Sequence, residues 1–440
     1  MMMAGQITRM VAAGLLGTLL AGCSTLGSLN PFASKDDKLP GERHDVLTTA
    51  ADQASGGTAS IGPSTTLAEW SQPGGTPANN PGNVALSGGA GAASWRSRVI
   101  DNPGKRNARA TVPPLVYGGR IYVYDPSGTV SALSPGGGRQ WSVSVAPADE
   151  KSRSPGGGIA AAGSMIFVAT GYSEVVALDA ASGNKAWSAK LSAPARSAPT
   201  AANGKVYVVS ATNVLYAMNQ NDGTEAWKYP GIPENAGVLS SASPAVSGDT
   251  VIVPYSSGEV IAFNAASGEL KWSDAVVRST RTMAVSGLTD VAASPVVVDG
   301  VVYASGVAGR TIAVRLATGE RIWEQTIGSA STPVVSGNAV FLVDLADHAV
   351  ALDRATGKPL WSTELPTVRK KRFFSVWSGP TLAGGTLWAV SNDGKLAGID
   401  PASGNLMADR ALPGPTFIKP IAANGQLLVL SGDGTLSAFQ

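Results

Sequence analysis

Residues 177–187 read Ala177-Leu178-Asp179-Ala180-Ala181-Ser182-Gly183-Asn184-Lys185-Ala186-Trp187, and this phrase decides the fold because it recurs along the chain. Its constant parts are Ala, an apolar residue, Asp or Asn, a short turn with Gly, and Trp four residues after that Gly. Three further copies keep all of these parts, and they lie at residues 217–227, 262–272 and 351–361. Such regular recurrence indicates a chain built from repeated structural units.

Less regular copies extend the repeat over most of the chain. Arg315 replaces the acid in the copy at 313–323, and a shortened copy leads from Ala132 to Trp141. A worn copy at 398–408 has Ala408 where the others have Trp. The marker positions are therefore Trp95, Trp141, Trp187, Trp227, Trp272, Trp323, Trp361 and Ala408. Their spacing of about 45 residues suits a four-stranded propeller blade, although helical solenoids share this period.

Strand character separates the two alternatives. A segment of alternating apolar residues, many of them β-branched, precedes the repeated phrase, as in Lys205-Val206-Tyr207-Val208-Val209. Turn dipeptides such as Asn203-Gly204 and Asp299-Gly300 precede such text. This pattern is typical of β-hairpins. The sequence thus predicts an all-β protein, an eight-bladed β-propeller of four-stranded antiparallel blades, in which each Trp packs between blades.

The two ends of the repeat region complete each other. The last copy begins at Pro420 and ends at Ala438-Phe439-Gln440, before a strand that would carry Trp. Trp95 stands in a strand-like segment without three preceding strands of its own. Pairing of these fragments would complete the eighth blade and cover two sheet edges. Seven blades remain the alternative, if the copy with Ala408 does not fold as a blade.

The N-terminus has the features of a targeting signal. Arg9 is followed by an apolar run from Met10 to Leu20, which is too short for a comfortable membrane span and suits a signal peptide. Leu20-Ala21-Gly22-Cys23 resembles the lipobox of bacterial lipoproteins, so Cys23 is the predicted lipid attachment site. The alternative is an incidental cysteine after an ordinary signal peptide. The predicted domains are a signal peptide at 1–22, a flexible lipidated tether at 23–66 and the propeller at 67–440.

Composition excludes several classes of function. Lys and Arg number 33 against 31 Asp and Glu, so no basic field favours nucleic acid. The chain has one cysteine and two histidines, His44 and His348, so we expect neither an intrachain disulfide nor a histidine-rich metal site. No calcium-loop pattern, catalytic triad or phosphate-cradling loop stands out. We therefore expect no catalytic residues, no cofactor and no metal.

The repeat resembles the tryptophan-docking repeat of quinoprotein propellers over residues 67–440, and within that group the chain is most similar to the BamB family of outer-membrane assembly lipoproteins. The features that carry this resemblance are Cys23, the eight repeats, the opening Trp70-Ser71-Gln72-Pro73-Gly74-Gly75 and the insertion between Trp272 and Pro295. That insertion contains Gly287-Leu288-Thr289-Asp290-Val291.

The resemblance implies a non-catalytic scaffold, monomeric within a complex and lipid-anchored at the periplasmic face of the outer membrane. Leu288, Thr289, Asp290 and Val291 are similar to the loop with which the family grips the barrel insertase BamA, although Ala292 replaces a second acid. A second family contact loop would fall at Gly237-Val238-Leu239-Ser240-Ser241, which lacks the family's arginine. Unfolded outer-membrane proteins are a possible second client. Charge reversal at Asp290 is expected to weaken partner capture without changing thermal stability.

Two other functions compete with this reading. Quinoprotein dehydrogenases share the repeat, but by resemblance they use calcium and usually a disulfide of adjacent cysteines, which a single cysteine cannot form. The other alternative is a scaffold for a different envelope partner. The loop Arg369-Lys370-Lys371-Arg372-Phe373-Phe374 bears on it, since cations beside aromatic residues suit anionic lipid or an acidic protein surface. A solvated loop is the plainer interpretation of that run.

Overall fold

Each copy of the repeat folds into one antiparallel sheet, because short β-branched segments joined by Gly-containing turns pair with their chain neighbours. The computed structural model describes residues 50–101, 112–125, 127–149, 154, 156–234, 242–276, 290–370 and 373–440. In this part of the chain there are eight four-stranded sheets, so the prediction of an eight-bladed all-β propeller is confirmed. In seven of the blades the strands follow chain order from the innermost to the outermost.

The elements begin with a short helix, α1 (Ala50–Gln53), and strand β1 (Ala93–Arg98). The first four blades contain, in blade 1, β2 (Leu115–Tyr117), β3 (Arg120–Asp125), β4 (Thr129–Leu133) and β5 (Arg139–Ser144); in blade 2, β6 (Gly157–Ala162), β7 (Met165–Thr170), β8 (Glu174–Asp179) and β9 (Lys185–Lys190); in blade 3, β10 (Thr200–Ala202), β11 (Lys205–Val209), β12 (Val214–Asn219) and β13 (Glu225–Pro230); and in blade 4, β14 (Ala245–Ser247), β15 (Thr250–Pro254), β16 (Glu259–Asn264) and β17 (Leu270–Ala275).

The remaining blades continue the same pattern. They contain, in blade 5, β18 (Val296–Val298), β19 (Val301–Gly306), β20 (Arg310–Arg315) and β21 (Arg321–Gln325); in blade 6, β22 (Val334–Ser336), β23 (Ala339–Val343), β24 (His348–Asp353) and β25 (Pro359–Glu364); in blade 7, β28 (Trp377–Ala383), β29 (Thr386–Ser391), β30 (Lys395–Ile399) and β31 (Leu406–Ala411); and in blade 8, β32 (Ile421–Ala423), β33 (Gln426–Leu430) and β34 (Thr435–Phe439). A separate hairpin of β26 (Arg369–Lys370) and β27 (Phe373–Phe374) lies between blades 6 and 7.

The ring closes by pairing the two ends of the propeller. Strand β1 is the outermost strand of blade 8 and runs antiparallel to β34, with Trp95 opposite Ala438 and Arg98 opposite Thr435. The worn copy of the repeat also folds, since Ala408 on β31 pairs with Gly398 on β30. The alternative of seven blades is therefore wrong. Closure covers the edges that β1 and β34 would otherwise expose.

Glycine in the repeat is required by the approach of the preceding blade's Trp. A Cβ at Gly357 would lie 2.6 Å from the ring of Trp323, and Gly357 has a φ of +73°, a conformation that L side chains rarely adopt. The Trp323 Nε1–H donates to the Arg354 carbonyl in the same turn at 2.9 Å. Four other tryptophans donate to the next blade in the same way, namely Trp187, Trp227, Trp272 and Trp361. The phrase thus joins adjacent blades.

The N-terminal boundary of the folded unit differs from the prediction. The compact unit begins at Thr48, so the boundary predicted between residues 66 and 67 falls inside it. The amides of Ser55 and Gly57 donate to the carbonyls of Pro359 and Leu360 at 3.0 and 3.1 Å. Backbone hydrogen bonds hold this polar segment, rich in small residues, on blade 6. The segment has no apolar periodicity, so its attachment to the blade could not be predicted from the sequence. The predicted lipid site Cys23 and residues 23–49 of the tether predicted at 23–66 lie outside the described residues.

Residues 65–87, here called the N-terminal plug, run across one end of the central channel. Trp70, Gln72 and Asn79 of the plug are at most 1% exposed, and the side chains of Gln72 and Asn79 bond to blades 2–3 and 4–5, respectively. The plug bonds to seven blades. Its backbone bonds to six of them are Trp70 N to Val116 O (2.7 Å), Ala161 N to Ser71 O (2.8 Å), Val246 N to Pro77 O (2.7 Å), Val297 N to Ala78 O (3.0 Å), Val84 N to Leu382 O (3.2 Å) and Ser87 N to Gly425 O (2.8 Å). In the seventh, the Ala201 amide donates to the Gln72 side chain at 2.9 Å.

Candidate binding surface

The described ends of the segments that the sequence marks for partner binding lie on one face of the propeller. In each blade the innermost strand turns into the second strand at the end where the plug lies. At the opposite end, here called the linker face, each outermost strand connects to the next blade. The segments 231–244, 276–295 and 365–376 are three of these connections. The fold therefore places the described ends of these connections on the face away from the plug, and connecting loops carry binding functions in many scaffolds.

Asp290 forms a buried ion pair on this face. Its carboxylate, 1% exposed, accepts a hydrogen bond from Nη2 of Arg196, which is itself 5% exposed. Arg196 lies in the connection between blades 2 and 3, and its Nη1 donates to the Pro254 carbonyl of blade 4 at 3.2 Å. Burial lowers the pKa of the Arg196 guanidinium, and the charge of Asp290 opposes that change. The pair therefore joins the connection between blades 2 and 3 to strand β15 of blade 4 and to the connection between blades 4 and 5.

The burial of Asp290 corrects one expectation. An exposed loop acid would tolerate charge reversal, but a second cation at position 290 would be buried against Arg196 without compensation. We therefore expect charge reversal at Asp290 to lower thermal stability, in contrast to the expectation from the sequence. Val291 is also buried. Leu288, Thr289 and the segment 237–241 lie outside the described residues, and partner contact through 288–291 stays a prediction.

Four of the eight large exposed apolar side chains among the described residues lie on the same face, and the other four lie on outermost strands. Ile232, Leu345, Val376 and Phe417 are between 43 and 55% exposed, and all four lie in connections or turns of the linker face. Near Val376, the hairpin of β26 and β27 pairs Arg369 with Phe374 and Lys370 with Phe373. This hairpin carries the basic and aromatic run that the sequence analysis singled out.

The rim of the central channel on the linker face is lined by small polar groups. In several blades a small residue precedes the proline before the inner strand, as in Ala198-Pro199, Ser243-Pro244, Ser294-Pro295, Thr332-Pro333 and Gly379-Pro380. Neighbouring blades are joined there by hydrogen bonds from Ser243 N to Ser294 Oγ (2.9 Å) and from Ser294 N to Thr332 Oγ1 (3.1 Å). Blade 8 differs, because Lys419 precedes Pro420.

Sequence reasoning missed both rim cations, Arg196 and Lys419. Alignment of the repeats on their prolines would have isolated Lys419, since the corresponding positions in the other blades that have this proline are uncharged. No comparable signal exists for Arg196, whose partner is 94 residues away in the chain.

Three acids at or after the ends of strands, Asp125, Asp344 and Asp393, accept hydrogen bonds within turns. Asp125 accepts from Ser127 N at 2.7 Å, and Asp344 accepts from the amides of Ala346 and His348 at 2.9 and 2.8 Å. Asp393 accepts from Ser391 Oγ. Among the described residues there is no group of three His, Cys, Asp or Glu placed to hold a metal ion. Within the same residues no helix has the length and apolarity needed to cross a membrane.

Comparison with known proteins agrees with this architecture. The profile of the family described as "Outer membrane protein assembly factor BamB" matches residues 126–363 and 349–440. The chain is 28% identical over 343 residues to the assembly factor BamB of Yersinia pestis, covering 74% of this chain and 83% of the relative. It is 27% identical over 349 residues to that of Escherichia coli K12, covering 78% of this chain and 87% of the relative.

Solved structures show the same fold at lower sequence identity. BamB from Moraxella catarrhalis superposes with a TM-score of 0.65 at 21% identity, covering 74% of this chain and 94% of that one. A europium-containing methanol dehydrogenase gives a TM-score of 0.65 at 14% identity, covering 83% of this chain and 90% of that one. At these identities the likeness concerns the fold alone.

Proposed function

Because the chain belongs to the family of the outer membrane protein assembly factor BamB, we propose that it is a non-catalytic scaffold that binds the periplasmic domains of a BamA-like barrel insertase and assists insertion of outer-membrane proteins. The observation that carries this proposal is the family match across most of the propeller. The placement of the described ends of the marked connections on the linker face supports it, because connections that start and end on one face can reach one partner.

The proposed mechanism has no chemical step. A lipid on Cys23 would hold the protein at the periplasmic face of the outer membrane, and residues 23–49 would allow the folded unit to move at most roughly 90 Å from that point. Tethering raises the local concentration of the linker face near a membrane-embedded partner. The closed ring supplies rigidity, so binding orders few additional groups. Unfolded outer-membrane proteins would be a second client of the same face.

A quinoprotein dehydrogenase is the second candidate, since enzymes of that class share the fold. The resemblance to them implies a disulfide of adjacent cysteines beneath the quinone, and the sequence contains a single cysteine. Titration of the full chain with pyrroloquinoline quinone and calcium separates the two functions. Tight binding with dye reduction in the presence of an alcohol would favour the enzyme over the scaffold.

The scaffold is tested by affinity capture of the full lipidated chain from detergent-solubilised envelopes. We expect the wild type to recover the barrel insertase. Ile232→Glu changes an exposed residue of the linker face beside the segment 237–241, and Leu288→Glu changes the predicted contact loop. Loss of an interface residue of this kind weakens binding by roughly fivefold or more.

Met407→Glu is the matched control, because Met407 is 65% exposed on the outer strand of blade 7, away from the linker face. It should leave recovery of the insertase unchanged. Melting temperatures of all three variants exclude an effect through stability. Equal recovery with all variants would contradict the assignment of the linker face, and recovery of another complex by the wild type would contradict the partner.

A further inference from the structure

We propose that the junction of blades 8 and 1 binds one aromatic side chain of a polypeptide partner. The site is a pocket of about 90 Å³, here called the seam pocket, which lies between the two blades on the face that carries the plug. Its floor includes Val116, Ile121 and Leu428, and its rim includes Pro135, Asn424 and Gln426. Because this face is opposite the linker face, the inference goes beyond the proposed binding of the insertase.

The position of the seam pocket follows from the way the two blades meet. Asn424 lies in the turn between β32 and β33, and Pro135 lies in the turn between β4 and β5, so both are at the plug end of their blades. Val116, Ile121 and Leu428 are at most 4% exposed, whereas Pro135 and Asn424 are exposed. A buried apolar floor below an exposed rim with a few polar groups is the usual arrangement of a small binding pocket.

The floor is open because blade 8 lacks an aromatic ring that most blades have. The ring belongs to the second-strand residue opposite the Ala of the repeated phrase, or opposite Gly398 in blade 7. From blade 1 to blade 8 the residues at this position are Tyr122, Phe167, Tyr207, Ile252, Tyr303, Phe341, Trp388 and Leu428. Six of the eight are aromatic, and blades 4 and 8 have an aliphatic side chain instead.

Where the ring is a tyrosine, it can span the junction to the next blade. The hydroxyl of Tyr122 donates to the Ala180 carbonyl at 2.9 Å. The hydroxyl of Tyr207 donates to the Ala265 carbonyl, also at 2.9 Å. Ala180 and Ala265 follow the Asp or Asn of the repeated phrase, and Pro135 holds the same place in blade 1. The seam pocket therefore lies between the two positions that such a tyrosine joins in other blades.

The junction of blades 3 and 4 shows what the ring changes. An open groove lies there at the same place, and its lining includes Asn203 and Ala265 at the rim. Tyr207, Val246 and Val251, which correspond to the floor of the seam pocket, do not line that groove. The ring of Tyr207 thus fills the space below the rim, and the leucine of blade 8 leaves that space open.

Blade 4 also lacks the ring, but a different side chain reduces the space there. Leu316, at the place of Pro135, packs against the same apolar cluster as Ile252. Pro135 is exposed and lies outside the apolar cluster that contains Leu428. Blade 8 therefore combines a missing ring with a turn that does not cover the gap.

An aromatic side chain of a polypeptide suits the seam pocket in size and in polarity. The pocket is small and open at its rim, so a ring can enter from outside the place that Tyr207 fills from within at blade 3. The side-chain amides of Asn424 and Gln426 make no hydrogen bond to the described residues, so they can bond to the peptide groups beside the ring. A small aromatic hydrocarbon would leave these amides unused.

The test is ligand-observed ¹⁹F NMR with the full chain in detergent and the peptide Ac-Gly-(4-fluoro-Phe)-Gly-NH₂ as the probe. We expect the wild type to broaden the fluorine signal saturably and Ac-Gly-Phe-Gly-NH₂ to reverse the broadening. The aliphatic match Ac-Gly-Leu-Gly-NH₂ should compete about fivefold more weakly, since aromatic packing contributes beyond the buried area. Leu428→Phe supplies the ring from within and should weaken probe binding about tenfold or more.

Ile252→Phe is the matched control, because it makes the same kind of change at the equivalent position of blade 4, away from the seam pocket. It should bind the probe as the wild type does. Asn424→Gly removes one rim amide at a φ of +51°, which glycine adopts without strain. This variant should weaken binding of the Phe peptide about threefold and leave competition by toluene unchanged.

Melting curves verify that each variant is folded. Unchanged binding by Leu428→Phe, or equal competition by the Phe and Leu peptides, would overturn the proposal. If Leu428→Phe does not fold, Asn424→Gly decides, and unchanged peptide binding by that variant would overturn the proposal. Toluene that competes as strongly as the Phe peptide at the same concentration would also contradict it, since the site would then select a free aromatic molecule.

Discussion

Two cations on the linker face, Arg196 and Lys419, have opposite electrostatic surroundings. Arg196 is 5% exposed and is paired with Asp290 across the connections of blades 3 to 5. Lys419 lies across the ring at blade 8, partly buried and without an ionic partner among the described residues. A cation held inside a protein is costly unless a counter-charge accompanies it. Arg196 therefore stabilises the structure of this face through its pair, whereas the charge of Lys419 has no such compensation among the described residues.

The largest expected effect concerns the paired side. Asp290→Asn removes the negative charge and leaves Arg196 buried without compensation, so we expect a loss of about 3–5 kcal/mol in the free energy of unfolding. Chemical denaturation of the purified full chain measures this loss. Asp249→Asn is the matched control, since Asp249 forms an ion pair with Lys271 but is exposed, and it should change stability by less than about 1 kcal/mol. Similar losses in the two variants would show that burial does not distinguish the pairs.

A smaller effect is expected when both members of the pair are replaced together. Arg196→Met with Asp290→Leu removes both charges and fills most of their volume with apolar groups. Replacements of this kind are often neutral or stabilising, so the double variant should recover most of the stability lost in Asp290→Asn. Equal capture of the insertase by the double variant and by the wild type would show that the ion pair contributes to stability and not to partner binding. A double variant as unstable as Asp290→Asn would indicate that the geometry of the pair, rather than its charge balance, supports the linker face.

The fold could be predicted from the sequence because a recognisable residue pattern recurs from blade to blade. Gly357 and Trp323 illustrate the reason, since a close contact between adjacent blades forces the same residue pair to recur at a fixed spacing. Closure was predictable from the unmatched strand at Trp95 and the incomplete final copy. The plug was not predictable, because Gln72 and Asn79 bond to carbonyls of distant blades. Such contacts exist only after the ring has closed and leave no periodic pattern.

For the candidate site, the sequence could predict which connections share one face of the propeller but not the contacts of individual residues. The connections 231–244, 276–295 and 365–376 follow from the blade topology, and the topology places them at the same end. The role of Asp290 could not be read from its neighbours in sequence, since its partner lies in a connection two blades earlier. A surface acid and a buried ion-paired acid look identical when only the flanking residues are known.

The smallest expected effect lies on the unpaired side and has the opposite sign. The pKa of Lys419 is lowered in the fold from 10.5 to about 8, so the unfolded chain holds this proton more tightly between those values. The charged form therefore opposes folding below about pH 8, and this cost is relieved as the pH rises toward 10.5. Lys419→Met should match or exceed the wild type in stability at pH 7, and its advantage should shrink by pH 10. Denaturation at both pH values checks this, with the surface variant Lys395→Met as the control. If the stability difference between Lys419→Met and the wild type did not change with pH, Lys419 would be as well solvated as a surface lysine. Lys419 and Arg196 would then differ only in how deeply they are buried.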